Sequence, residues 1–180
     1  QVVLNETGIG AIASYTGRAG FKSSGGLIAA VGTYTGVPVV TLLNLVGGIT
    51  STQTLTVTAS DGYSMVYTYS QVNGQDFITY DPVTGSEASP TQPMTLCVNY
   101  VENGTALTSD EGPLRIGVVG PEGLLTEGHF WTKMTSKLEV TNNVRDWTVT
   151  VNATNSSPLN MDRQSWTADV NHFPLNWTDS

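Results

Sequence analysis

Cysteine, charge and long apolar runs are all scarce in this sequence, and each shortage excludes a class of protein. Cys97 is the only cysteine in 180 residues, so no disulfide can form within the chain. Charged residues make up only 12%, and 15 acidic against seven basic residues give a net charge of −8. That charge repels phosphate backbones and anionic lipid, so we expect no nucleic-acid partner. The longest apolar run is too short to cross a bilayer, so we expect no membrane insertion.

Motifs of the common enzyme classes are missing as well. The chain has no Gly-x-Ser-x-Gly nucleophile elbow, and its two histidines, His129 and His172, do not make a triad. No glycine-rich loop is followed by Lys-Ser or Lys-Thr, so nucleotide binding is not indicated. We therefore assign no catalytic residue.

Threonine, serine, asparagine and glycine are abundant, and they predict a surface solvated by hydroxyl and amide groups. The chain starts at Gln1 without a methionine, as the mature product of signal-peptide cleavage does. Asn-x-Ser/Thr triplets are acceptor signals for N-linked glycans in exported proteins. We expect an extracellular, cell-surface protein with glycans at one or more of five such triplets, which begin at Asn5, Asn103, Asn152, Asn155 and Asn176.

The clearest strand pattern lies in the second half of the chain. Thr95–Val101 and the apolar run Leu114–Val119 predict strands, and Asn103-Gly104 between them is a tight-turn signal. Residues of different polarity alternate over Lys133–Val140, which predicts a strand with one mostly buried and one solvent-exposed face. The buried face would hold Met134, Ser136, Leu138 and Val140, and the exposed face Lys133, Thr135, Lys137 and Glu139.

Upstream, the pattern predicts one helix and further strands. Val37–Val46 has apolar residues at helical spacing, with Pro38 in the first turn. Leu55, Val57 and Ala59 alternate with threonines, as in a half-buried strand. The other predictions are strands at Gln1–Leu4 and Ser64–Tyr69, a loop over Gly10–Gly32 with one helical turn near Ile9–Tyr15, and a surface loop over Asp81–Pro93.

The order of these features resembles the C-terminal half of the molybdopterin-binding oxidoreductase domain, which has the sulfite oxidase fold. That family has an Asn-Gly-x-x-Leu turn, an acidic-Gly-Pro-Leu-Arg strand, and an aromatic-x-Lys segment before its final strand. The resemblance covers about Tyr34–Val140 and implies an α+β, strand-dominated fold, either a mixed sheet or a flattened barrel. The matching residues are Asn103-Gly104 with Leu107, Glu111–Arg115, Trp131–Lys133, Lys137–Val140, Tyr34–Pro38 with Leu42-Leu43, and Ala59–Ser64.

The resemblance also implies a molybdenum centre tied to the protein by one cysteine thiolate. The family places that cysteine ahead of the aromatic-x-Gly-Val motif, and the corresponding segment here, Gly17–Thr33, contains none. Cys97 lies instead in a predicted strand, where a free thiol behaves as a small buried hydrophobe. We therefore expect no molybdopterin cofactor, and interpret the chain as a degenerate form of this domain in an exported, archaeal-type surface protein.

The pattern changes towards the C-terminus. We expect a single sulfite-oxidase-like domain over residues 1–151, with its last strand at Trp147–Val151. Residues 152–180 would form a C-terminal tail with a short helix at Asp162–Val170.

Several apolar residues near the two termini suggest an assembly contact. Trp166, Phe173 and Trp177 are too bulky for a solvated tail, so they should be buried against the same chain or a neighbouring subunit. Val2 and Leu4 belong to a short predicted strand that could add to a neighbour's sheet. A head-to-tail contact of either kind would grow a filament.

Two weaker ligand sites are candidates. Glu122, Glu127 and His129 lie on one loop and offer the carboxylate and imidazole ligands of a divalent metal, but we favour a hydrogen-bonded structural role for His129 over a metal site. Tyr67 and Tyr69 share a predicted strand face, which suits a sugar platform or packing beneath a loop.

The sequence as a whole favours a non-catalytic, exported cell-surface structural protein that forms a homo-oligomer or filament through a terminal segment. Two alternatives stay open: a molybdopterin-dependent oxidoreductase domain with an unusual ligand, and a secreted module that binds glycan or metal.

Overall fold

The computed structural model describes residues 1–142 and two short strands at 164–167 and 176–179. The chain divides into two units, Gln1–Asn142 and Asn143–Ser180. The fold is strand-dominated with mixed pairing, as predicted, and the described strands do not close into a barrel.

The first unit consists of nine strands, three short α-helices and one 3₁₀ turn within residues 1–142. The strands are β1 (Tyr15–Lys22), β2 (Ile28–Pro38), β3 (Gln53–Ala59), β4 (Ser64–Thr68), β5 (Thr95–Glu102), β6 (Thr105–Ala106), β7 (Arg115–Val119), β8 (Thr126–Glu127) and β9 (Thr135–Asn142). The helices are α1 (Glu6–Gly10), α2 (Val39–Asn44) and α3 (Tyr69–Val72), and the 3₁₀ turn is Gly128–Phe130.

The larger sheet is built around β2 and β5, which pair antiparallel. β1 adds to β2, and β8 pairs with β1 in parallel through Phe21 and Thr126. β5 pairs over its first half with β7 and at its end with β6. An antiparallel bridge between Arg18 and Gly120 links β1 to the chain just after β7. The sheet is mixed because only the β1–β8 pairing is parallel.

The strand predictions for β5 and β7 are confirmed within a residue. All five residues of β7 are buried, as its apolar run predicts. Asn103 and Gly104 have φ angles of 49° and 82°, the left-handed values that a two-residue hairpin turn needs, and they join β5 to β6.

The β1–β2 pair occupies most of the segment for which a loop was predicted, so that prediction was wrong from Tyr15 onward. Glycines hid the alternation of apolar and polar residues by which a strand is recognised in a sequence. A Cβ on Gly17 would lie 2.8 Å from the Tyr15 ring, and one on Gly20 would lie 2.7 Å from Leu125 Cδ2. Neighbouring groups approach β1 too closely for side chains at these positions, so glycines interrupt the apolar alternation.

The smaller sheet is antiparallel, with the order β4–β3–β9. Leu55, Val57 and Ala59 of β3 are buried while the threonines between them are half-buried, which confirms the predicted alternation. β4 ends at Thr68, one residue earlier than predicted, because the Thr68 side chain caps α3 by accepting from the Gln71 N–H.

β9 matches its predicted faces only in part. Leu138 and Val140 are half-buried as expected, but Ser136 is exposed and Thr135 is buried. A register shift in the pairing with β3 lies at this end of β9, next to Ala59. Such a bulge moves the alternation to the other side of the strand, and sequence period alone does not reveal it.

The helices are shorter than predicted. α2 lies inside the predicted helix but begins later than expected, because β2 continues through Pro38. Just beyond the C-terminal end of α2, the Gly48 N–H donates to the Leu43 carbonyl at 2.9 Å. The strand predicted at Gln1–Leu4 is not formed. Asn5 starts α1 there instead, because its side chain accepts from the Gly8 N–H at 2.8 Å.

One cluster of buried apolar residues joins the two sheets. Tyr34 of the larger sheet packs edge-on against Trp131, with ring centroids 5.2 Å apart. Tyr67 of the smaller sheet donates its hydroxyl to the Phe130 carbonyl at 2.8 Å. Burial raises the pKa of both phenols well above the usual range. Segment Phe130–Trp131 is therefore held by both sheets.

In the second unit the described residues form one antiparallel pair, β10 (Gln164–Thr167) with β11 (Asn176–Asp179). The helix predicted at Asp162–Val170 is wrong where it overlaps β10, whose Ser-Trp-Thr sequence suits a strand better. Trp166 pairs with Trp177 in the backbone register. The strand predicted at Trp147–Val151 and the assembly residue Phe173 lie outside the described residues.

Candidate functional site

Two cavities of the first unit share Phe21 and Gly128 in their walls. One has a volume of about 490 Å³ and also includes Lys22, Tyr80, Glu127 and His129. The other, about 320 Å³, is called the Arg115 cleft below. Both volumes fall within or near the range of roughly 300–1,000 Å³ typical of small-molecule sites. The polar and aromatic residues that line the Arg115 cleft are Phe21, Asp61, Tyr63, Arg115, Trp131 and Lys133.

Arg115 is the most unusual residue of the cleft, because it is a cation and only 2% exposed. The Glu111 carboxylate forms ion pairs with both Arg115 and Lys133. The guanidinium carbon of Arg115 lies 4.8 Å from the Trp131 ring centre and 5.8 Å from that of Phe21. A buried guanidinium is costly unless it is paired, so the carboxylate and the two rings together make its position possible.

Trp131 forms the inner wall of the cleft, and Gly117 of β7 leaves room for the Trp131 ring. Its indole N–H donates to the Thr126 hydroxyl at 3.0 Å. A Cβ on Gly117 would lie 2.7 Å from Trp131 Cζ3 and 2.9 Å from Asn99 Nδ2. The Asn99 amide is fully buried, and neither of its polar atoms has a hydrogen-bond partner in the described part of the chain.

Asp61 and Tyr63 form the outer wall, in the turn between β3 and β4. Asp61 Oδ1 accepts from the Tyr63 N–H at 2.9 Å, an arrangement that fixes this turn. Tyr63 is 47% exposed, and its hydroxyl donates to the His129 carbonyl at 3.4 Å. The cleft thus combines an accessible aromatic ring with one acidic side chain, Asp61, and two basic ones, Arg115 and Lys133.

The predicted metal candidates are brought together only in part. His129 Nε2 lies 3.9 Å from a Glu127 carboxylate oxygen, and both side chains line the larger cavity. Glu122 instead accepts from the Thr91 N–H at 2.9 Å and from the Thr91 hydroxyl, and these bonds lower the pKa of its carboxyl. Among the described residues no group of three or more His, Cys, Asp or Glu side chains is arranged to hold a metal ion.

Cys97 does not fit the role of a molybdenum ligand. Its side chain is fully buried in β5, and burial raises the pKa of the thiol to about 12. A soft metal needs the thiolate, which this environment disfavours. The interpretation of Cys97 as a buried hydrophobe is confirmed.

The sugar platform, which was the alternative to packing of the two tyrosines, is wrong for Tyr67, because that residue is fully buried and belongs to the core. Tyr69 does not share its strand face, since β4 ends at Thr68 and Tyr69 opens α3. Packing within the fold, the competing interpretation, is therefore correct for Tyr67.

The glycosylation and assembly candidates fall into two groups. Asn5 and Asn103 are exposed, and Asn103 Oδ1 also accepts from the Thr33 N–H at 2.9 Å. Val2 is 48% exposed and Leu4 is half-buried. Asn152 and Asn155 lie outside the described residues, whereas Asn176, Trp166 and Trp177 are placed by backbone only, in β10 and β11.

Sequence reasoning missed the Arg115 cleft. Arg115, Trp131 and Lys133 served there as family landmarks and not as a site. One signal was available: the chain has only seven basic residues, and two of them follow closely on an acidic residue or a tryptophan, Arg115 after Glu111 and Lys133 after Trp131.

Comparison with known protein families, with curated proteins and with solved structures finds no significant match to this chain. None of the helices in the described residues is long and apolar enough to cross a membrane.

Proposed function

We propose that this chain is a non-catalytic, exported cell-surface protein that assembles into a homo-oligomer or filament through a terminal segment. The observation that carries the proposal is the apolar segment Gln1–Leu4. Val2 is 48% and Val3 84% exposed, and neither belongs to a strand in the described residues. Exposed, unpaired apolar segments of this kind are suited to strand addition on a neighbouring sheet.

The first unit also offers an edge that could accept such a strand. β4 pairs with β3 on one side, and no other described strand pairs with it. Val66 of β4 is 52% exposed, so this edge carries apolar surface. Natural proteins usually protect such edges, and an unprotected one supports a pairing between chains.

The C-terminal hairpin supports a second route to the same assembly. A lone two-stranded hairpin is marginally stable in water and needs further packing. The register of β10 and β11 sets Trp166 opposite Trp177, which concentrates aromatic residues on one short element. We propose that this hairpin packs against a neighbouring subunit if the N-terminal segment does not.

Export to the cell surface is supported by composition and by the exposed acceptor sites. The chain has five Asn-x-Ser/Thr triplets and few charges, and the two triplets of the first unit are exposed. N-linked glycans at Asn5 or Asn103 would meet no steric obstacle from burial.

The test is the particle mass in solution, measured by light scattering on the whole chain. We expect higher oligomers for the unmodified protein. If the N-terminal segment makes the contact, the double variant Val2→Asp with Leu4→Asp should be a monomer. If the C-terminal strands make it, the double variant Trp166→Ser with Trp177→Ser should be a monomer. Val83→Asp is the matched control, because Val83 is 85% exposed in a surface loop. A monomer at all concentrations, or equal masses for every variant, would contradict the proposal.

Two other functions compete with this one. A molybdopterin oxidoreductase domain would need a metal ligand other than Cys97, and stoichiometric molybdenum or tungsten in protein from its native source would favour it. A secreted binding module for glycan or metal would remain monomeric.

A further inference from the structure

The Arg115 cleft lies in a region where this acidic protein gathers its few cations. The described residues include five basic side chains, and Lys22, Arg115 and Lys133 line the two cavities that share Phe21. The chain as a whole has a net charge of −8. Glu127 and Asp61 line the same cavities and Glu111 pairs with Arg115 and Lys133, so the attraction for an anionic group comes from individual donors and not from an excess of positive charge.

Arg115 and Lys133 retain unused donors after their pairing with Glu111. Arg115 Nε is buried and has no hydrogen-bond partner in the described part of the chain. Lys133 is half exposed, and an ammonium group has three N–H donors of which Glu111 takes one. Lys133, the accessible one of the two, can therefore donate to a second carboxylate, while Arg115 adds positive charge from inside the wall of the cleft.

The remaining walls of the cleft call for different chemistry. Asp61 has an acceptor oxygen beyond the one bonded to the Tyr63 N–H, so it suits a ligand with hydroxyl donors. The Tyr63 ring is 47% exposed, and an accessible aromatic face suits the C–H face of a sugar ring. A simple inorganic anion would satisfy neither feature.

We propose that the Arg115 cleft binds an acidic sugar, a hexuronate residue, with its carboxylate at Lys133 near the buried Arg115 charge, its hydroxyls at Asp61 and its ring against Tyr63. The cleft volume of about 320 Å³ is adequate for one such residue. This site does not depend on the assembly proposed above, because no residue of the Gln1–Leu4 segment, of β4 or of the C-terminal strands lines it.

The test is a nuclear magnetic resonance titration of the full chain with D-glucuronate at low salt. Glucose, which lacks the carboxylate, and acetate, which lacks the ring, are the comparison ligands. We expect saturable shifts at cleft residues with glucuronate, and Kd values for glucose and acetate weaker by about tenfold or more. Equal binding of glucose would overturn the ionic part of the proposal, and equal binding of acetate would overturn the sugar part.

Two exposed positions give variants that should fold normally. Lys133→Gln should weaken glucuronate binding by about tenfold, and Tyr63→Ala by a similar factor. Lys137→Gln is the matched control, because Lys137 is also exposed and ion-paired, with Glu139 at 2.9 Å, but lies outside the cleft. Absence of saturable binding, or equal effects of Lys133→Gln and Lys137→Gln, would overturn the proposal.

Discussion

At the scale of single residues, the buried Arg115 guanidinium shapes both the stability and the chemistry of the first unit. It is covered by Trp131 and Phe21 and compensated by Glu111. The free energy of unfolding depends strongly on both partners of such a pair, because removal of one leaves the other charged and buried without a counter-ion.

Glu111→Gln should therefore destabilise the protein strongly. The change leaves the Arg115 charge buried without a carboxylate, so we expect a loss of about 3 kcal/mol in the free energy of unfolding. Urea denaturation followed by tryptophan fluorescence measures it. The control is Glu139→Gln, whose partner Lys137 is exposed and for which we expect a loss below about 1 kcal/mol. Similar losses in the two variants would contradict this account of Arg115.

The Cys97 thiol should be unreactive in the folded protein. Burial raises its pKa to about 12, so the nucleophilic thiolate is scarce and inaccessible at pH 8. We expect reaction with a thiol reagent to be on the order of 100-fold slower than in urea-unfolded protein. Rapid reaction without unfolding would show that β5 opens easily.

The same shift predicts a stability loss in alkali. Above the ordinary thiol pKa the unfolded chain releases a proton that the folded chain keeps, so the unfolded state binds fewer protons. The free energy of unfolding should then fall as pH rises from about 8.5 towards 12. The buried phenols of Tyr34 and Tyr67 act in the same direction. Unfolding midpoints in urea at pH 7, 9 and 10 measure the decline.

At the scale of the elements, the packing of Trp131 against β7 fixes the inner wall of the cleft. Gly117 is the point of closest approach, and any side chain there would collide with the indole. The consequence is a tightly packed junction between the larger sheet and the segment that carries Lys133.

Gly117→Ala should test that junction. The added methyl group would lie 2.7 Å from Trp131 Cζ3, so the ring or the strand must move. We expect a loss of about 1–3 kcal/mol in the free energy of unfolding, typical of overpacked cores, with a shift in tryptophan fluorescence. Gly10→Ala is the control, because no atom lies within 4 Å of a Cβ there. An unchanged unfolding midpoint for Gly117→Ala would contradict the packing described.

The elements also show where sequence patterns suffice. β3, β5 and β7 were predicted because their apolar residues alternate or run without interruption, which reports burial directly. β1 was missed because Gly17 and Gly20 replace the apolar residues that mark a strand, and the faces of β9 were partly misassigned because a bulge reverses them near Thr135. The failures at Gly20 and Thr135 come from contacts with segments that are distant in sequence, whereas Gly17 is crowded by the Tyr15 ring of its own strand.

The candidate site was predictable only in fragments. Glu127 and His129 were correctly placed near each other, since only Gly128 separates them in the chain, but Glu122 bonds to Thr91 instead. The Arg115 cleft needs β3, β7 and the segment after the 3₁₀ turn to meet, and no local spacing encodes that meeting.

At the scale of the whole molecule, the proposed assembly rests on exposed apolar surface that folding of the first unit leaves uncovered. Val2 and Val3 near α1, and Val66 on the β4 edge, are exposed, as are apolar residues elsewhere on the first unit such as Leu27 and Ile78. Burial of this apolar surface is favourable by about 25 cal/mol for each Å², and this free energy drives such contacts.

The most direct test of the central claim is electron microscopy of native cell-surface material that contains this chain. The account predicts regular oligomers or filaments built from this subunit, with a terminal segment of one subunit lying on the next and extra density at Asn5 or Asn103. Isolated monomers without any intersubunit contact through either terminal segment would contradict it.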